Sequence, residues 1–317
     1  MLSRTAGHLY WIARYIERAE TNARLLEVGA RNALIPNIGG GFRNDWESVL
    51  QTSGGAQGFA EKYGDVVQRN VETWLFFDRD NPSSVASCIH SAREGGRVVR
   101  TALTTQVWDA VNSAFQDMQE FARTERSSLS VSDLTDWTLR TTALIRGSAL
   151  NTQLRNDGYD FTNIGHYIER ADSTARLLDV KYYVLLPNVA YVGSGLDNYQ
   201  WRTLLRAMSS NRAFNWAYGG EISPAKIVDF LVLNRACPRS LMSAAEGAAE
   251  HLDRLARSYG RSTEAQTRVR DMVGNLSEVQ VQDIFDEGLH EFLGRFMGDL
   301  AALGGDVQRI YLSGETR

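Results

Sequence analysis

The stretch YIERAETNARLLEV at residues 15–28 returns, almost unchanged, as YIERADSTARLLDV at residues 167–180. Ten of the fourteen positions are identical, and the exchanges Glu20/Asp172, Thr21/Ser173 and Glu27/Asp179 keep their chemistry. Downstream, Trp46 in DWESVL aligns with Trp201 in QWRTLL, and Pro82 in NPSSV with Pro238 in CPRSL. The offset drifts from 152 to 155 to 156 residues along these matches. A period of this size is that of a domain, far longer than a solenoid unit. It predicts a single all-α domain, an internally duplicated helical bundle. Its two pseudo-symmetric halves, residues 1–150 and 151–317, are expected to pack about a pseudo-twofold axis.

Helical periodicity runs through the rest of the chain, and no convincing alternating strand occurs. Each half reads as a long helix with the YIER phrase (about 2–32 and 159–185), a short tryptophan helix (44–53 and 197–208) and a third (66–77 and 224–233). A long helix after Pro82 or Pro238 follows, then more from 105 and 262. The five prolines read as punctuation: Pro36 and Pro187 end helices, and Pro82, Pro224 and Pro238 suit the first helical position, which tolerates a missing N–H. Glycine-rich NIGGGF (37–42) and YGGE (218–221) read as exposed turns.

Composition narrows the function. Thirty-eight acids and thirty-four bases give a net charge of −4 with the signs mixed, so nucleic acid and an anionic membrane surface are not expected partners. Cys88 and Cys237 stand far apart with no CxxC, which suits a reducing cytosol and neither a disulfide framework nor a zinc site. Arg4, Arg14, Glu17 and Arg18 interrupt the N-terminal apolar run, so a cytoplasmic location is expected.

On the repeated helix, Leu9, Ile12, Tyr15, Ile16, Ala19, Ala23 and Leu26 share a face, as do Phe161, Ile164, Tyr167, Ile168, Ala171, Ala175 and Leu178. The opposite face carries Glu17, Glu20, Arg24 and Glu27, matched by Glu169, Asp172, Arg176 and Asp179. Glu20–Arg24 and Arg24–Glu27 are at favourable pairing distances. Arg18 and Arg170 lie about 100° round from the glutamates, so each needs a partner on another helix. The kept acids and bases fit an inter-half salt-bridge seam or a ligand site, with the seam ahead on physics alone.

These residues carry a resemblance. MLSRTAGHLYWIARYIERAETNARLLEV, YDFTNIGHYIERADSTARLL and NPSSVASCIHSAREGGRVVR, followed by Trp108 and Asn112, look like the alpha-E family, an all-helical domain named for its Glu-Arg motif. Gly95-Gly96 and Tyr159 depart from its pattern. The resemblance implies a bacterial setting beside ATP-grasp proteins and transglutaminase-like peptidases that form or trim amide bonds. It puts weight on Glu17, Arg18, Glu169 and Arg170, with Arg93 and Glu94 behind them, as residues binding a peptide or amino-acid-like ligand. In that role Arg18 and Arg170 take a carboxylate and Glu17 and Glu169 an ammonium. The rival expectation is an enzyme acting on amide bonds, with Glu17 or Glu169 as a general base whose pKa is lifted by burial.

Other chemistries find little footing. A carboxylate-bridged di-metal bundle needs two Glu-x-x-His motifs, and only Glu287–His290 appears. No nucleophile elbow or phosphate-binding glycine loop occurs, so no cofactor or metal is expected and ATP belongs to a partner. His166, in the place of Arg14, reads as a surface or satisfied histidine. Trp216 reads equally as a partner anchor or a core cap.

Overall fold

Two long helices form the centre. In a computed structural model that describes residues 1–34, 45–185 and 195–313, α1 (Ser3–Ala33) lies against α8 (Asp157–Leu185) more extensively than any other pair of elements. Between them run α2 (Asp45–Ser53), α3 (Ala56–Tyr63), α4 (Gln68–Glu72), α5 (Val85–Val98), α6 (Thr105–Arg123) and α7 (Val131–Thr152). After α8 come α9 (Gly195–Ala207), α10 (Asn211–Tyr218), α11 (Pro224–Val228), α12 (Leu241–Tyr259), α13 (Glu264–Glu278), α14 (Val281–Glu287) and α15 (Leu289–Val307). No strand occurs among the described residues. No helix there is long and apolar enough to cross a membrane.

The layers around the pair correspond. Helices α5 and α7 pack on α1 as α12 and α15 pack on α8, while α6 bridges α5 and α7 as α13 bridges α12 and α15. The predicted stripe is buried: Ala19, Ala23 and Ala175 have no exposed surface, and Leu9, Ile164, Ile168 and Leu178 almost none. Tyr15 and Tyr167 are only half-buried. Small residues bring the helices together, most closely at Gly165. A Cβ there would collide with the Tyr10 carbonyl oxygen and stand 3.1 Å from its carbon. Trp46 and Trp201 are in the core, as expected.

Several local readings change. Pro82 and Pro238 do not open helices; Ser84 and Ser240, two residues on, are the N-caps of α5 and α12, each accepting from the backbone N–H three residues later. Pro224 does occupy the first turn, behind the Ser223 cap. The third helix of each half ends in a π-helical turn, Thr73–Phe77 and Asp229–Leu233, which helical periodicity does not register. Pro36, Pro187 and the NIGGGF turn lie outside the described residues.

Candidate functional site

The charged face of α1 is not solvated. Glu17, Glu20 and Arg24 are buried, as are Glu169 and Arg170 on α8, so these ions must satisfy one another. They do so crosswise between the helices. Arg170 on α8 clamps Glu17 on α1 through Nε and Nη2, at 3.0 Å each. Arg18 on α1 clamps Glu169 on α8 through Nε at 2.6 Å and Nη2 at 3.1 Å. The bidentate, charge-assisted geometry is the strong form of this bond. Thr21 donates to its repeat counterpart Ser173 at 2.6 Å within the same seam.

Further bonds follow the repeat spacing. Asn22 donates to the Ser83 carbonyl and Thr174 to that of Arg239. Arg24 pairs with Glu20 and reaches the Ala207 carbonyl at the end of α9. Arg176 pairs with Asp172 at 2.6 Å and reaches the Thr52 carbonyl in α2. The expected Arg24–Glu27 pair is absent: Glu27 takes Arg31 instead, and Asp179 takes His290 at 2.6 Å. Glu287 pairs with Arg295, so Glu287 and His290 serve different partners.

Each clamped glutamate has a second cation. On Glu169 it is Arg14, whose Nε donates at 2.6 Å. On Glu17 it is Arg146 of α7, at 3.2 Å, because His166 stands where α1 has Arg14. Arg146 Nη1 also lies 3.2 Å from His166 Nε2, and a guanidinium can only donate, so Nδ1 carries the imidazole proton, 3.3 Å from Glu17. Arg239, from the turn before α12, adds a contact to Glu17 at 3.5 Å and a close bond to Glu20.

The electrostatics decide what the glutamates can do. Burial alone pushes Glu17 and Glu169 upward, but the guanidiniums outweigh it: Arg170, with His166 and Arg239, holds Glu17 well below the ordinary value, and Arg14 and Arg18 hold Glu169 below it. The expected lift by burial does not occur: both carboxylates are held as clamped anions. Burial lowers His166 to about 4, with Arg170 adding to the effect. It also pushes Cys88 up to about 12, so that thiol is inert. Arg239 is brought down to about 10 by burial and by the neighbouring arginines.

The two clamps border spaces of very different width. A cleft of about 630 Å3 between α1, α8 and α15 is lined by Arg14, Arg18, Glu169, Asp172 and Arg176, with Trp11 beside them. Glu17 instead borders a narrow, mostly apolar cavity of about 60 Å3, and Arg170 borders neither space. Glu17, Arg18, Glu169 and Arg170 meet between α1 and α8, and the structure divides them into a clamp beside a narrow cavity and a cleft-lining one. Arg93 and Glu94 do not join either. They pair with each other at 2.7 Å on α5, and Arg93 stacks on Phe115.

Sequence reasoning missed Arg146 and Arg239, whose repeat positions carry Ala301 and Ser83, so the repetition does not mark them. Arg14 was legible in principle, one turn before Arg18 on the same face. Trp216, near the end of α10, is 91% exposed, which removes the core-cap reading.

Residues 1–312 match the family Alpha-E, described as a predicted alpha-helical domain with a conserved ER motif. No curated protein and no solved structure matches the chain.

Proposed function

We propose, for a chain that belongs to the Alpha-E family over residues 1–312, that it is a binding partner in a bacterial peptide-ligation or peptide-modification system. An ATP-grasp protein would supply the activation chemistry, and a transglutaminase-like peptidase is a second candidate partner. The observation that supports a binding role is the open cleft with three arginines whose outer edges have no protein acceptor. Arg18 bonds Glu169 through Nε and Nη2, Arg14 uses Nε and Nη1, and Arg176 uses Nε and Nη1. Arg18 Nη1, Arg14 Nη2 and Arg176 Nη2 are left without a bonded partner among the described residues. Preorganised, part-buried donors of this kind suit a carboxylate from a peptide or amino-acid-like ligand.

In this reading Arg18 and Glu169 belong to the binding site, while Glu17 and Arg170 form the structural half of the motif. An acid–base role for the glutamates finds no support in their depressed pKa values. The test is co-expression of the chain with an ATP-grasp protein of the same genome, followed by size-exclusion chromatography and an amide-forming assay with ATP. A complex whose product formation falls with Arg18→Gln supports the proposal. Failure to co-elute, with full product formation by the ATP-grasp protein alone, overturns it.

A further inference from the structure

The two cavities are repeat counterparts, and one explains the other. At the 155-residue spacing, Arg146, Ala149, Leu150 and Gln153 of the narrow cavity answer to Ala301, Gly304, Gly305 and Gln308 of the open cleft. At the 152-residue spacing, His166, Glu17 and Glu20 answer to Arg14, Glu169 and Asp172. Arg239, 156 residues beyond Ser83, stands where the cleft has only that serine hydroxymethyl. The narrow cavity is therefore reduced by the side chains of Arg146 and Leu150, with Arg239 bonded to the glutamates beside it, and the cleft is the same place left wide.

What fills the closed version indicates what the open one lacks. Glu20 accepts from Arg24, Thr142 and Arg239. Its counterpart Asp172 accepts only from Arg176, through Oδ2, so Oδ1 has no donor among the described residues. A cation is missing beside Asp172, and anions are missing at the free edges of Arg14, Arg18 and Arg176. The lining carries three guanidiniums against two carboxylates, so a ligand of one net negative charge balances it. A cleft of about 630 Å3 is within the range of small-molecule sites and holds more than a single residue.

We infer that the cleft takes a free acidic α-amino acid, with its ammonium beside Asp172 and its carboxylates on the free arginine edges. This deepens the binding role proposed above and rests on it for the cleft's being a site. Each chain holds one such site, because Arg146 and its neighbours close the counterpart.

The test is isothermal titration of the full chain with L-glutamate, glutarate, L-alanine and inorganic phosphate. L-Glutamate is expected to saturate one site per chain, with glutarate, which lacks the ammonium, and L-alanine, which lacks the second carboxylate, at least tenfold weaker. Asp172→Asn should abolish the preference for L-glutamate over glutarate. The pair Arg14→His with Ala301→Arg copies the closed arrangement and should abolish binding while the protein stays folded. Gly305→Leu, the residue of the closed cavity, is the second closing variant should that pair not fold. Glutarate binding as tightly as L-glutamate, phosphate alone binding, or an unchanged ratio in Asp172→Asn would each overturn the inference. A successful titration together with failed ATP-grasp co-elution would refute the partner and keep the ligand.

Discussion

Replacing Arg170 by glutamine and, separately, Arg18 by glutamine tests the division of the motif into a sealed and an open half. The two arginines are repeat counterparts and make the same bidentate bond to a buried glutamate. Their surroundings differ. The Arg170 side chain is 7% exposed and that of Arg18 is 25% exposed, facing the cleft. Without Arg170, Glu17 keeps Arg146 at 3.2 Å, a neutral His166 and Arg239 at 3.5 Å, all longer than an ideal charged bond. Without Arg18, Glu169 keeps Arg14 at 2.6 Å, and cleft solvent reaches the gap. Removing one partner of a buried pair costs about 3–5 kcal/mol, so Arg170→Gln is expected in that range. For Arg18→Gln, solvent and Arg14 reduce the expected loss to about 1–2 kcal/mol. With an unfolding entropy of about 2.1 cal/mol/K per residue, a chain of 317 residues loses roughly 1.5 °C in Tm per kcal/mol. Thermal melts followed by circular dichroism at 222 nm should then fall by about 5–8 °C for Arg170→Gln and by about 2–3 °C for Arg18→Gln. Equal losses, or a larger one at Arg18, refute the division.

Three further outcomes follow from the same geometry. His166 titrates at about 4 in the folded chain and at 6.5 when unfolded, so the unfolded state binds its proton first and stability falls as pH drops from 6.5 to 4. The loss approaches about 3 kcal/mol at 1.36 kcal/mol per pKa unit, and His166→Asn should flatten that part of a Tm-versus-pH curve. Below that window the depressed Glu17 adds its own loss as it protonates. Gly165→Ala drives a methyl into the Tyr10 backbone and should cost about 3 kcal/mol or more, whereas Gly147→Ala meets nothing within 4 Å and should gain about 0.5–1 kcal/mol; urea titrations compare them directly. Trp216→Ala removes a 91% exposed ring and should move Tm by less than about 1 °C, since little burial is lost; a drop of several degrees would show that the ring packs.

The repeated phrase determined most of the fold by itself. A helical stripe of apolar and small residues, kept twice, requires two long helices with complementary faces, and α1 and α8 are those helices. The 100° separation of Arg18 and Arg170 from their neighbouring glutamates sent each to a partner on another helix, and the structure shows that partner to be the glutamate of the other repeat. What tertiary structure decided is how those charges are completed. Arg146 and Arg239 reach the seam from α7 and the turn before α12, more than a hundred residues from Glu17 in sequence, and nothing local marks them. The cleft depends on a still weaker signal, the small side chains of Ala301, Gly304 and Gly305 where the counterpart cavity has Arg146, Ala149 and Leu150. Whether a buried glutamate is lifted or depressed follows from the sum of burial against every nearby guanidinium. Burial and charge act in opposite directions there, so only the positions of the arginines in space fix the sign.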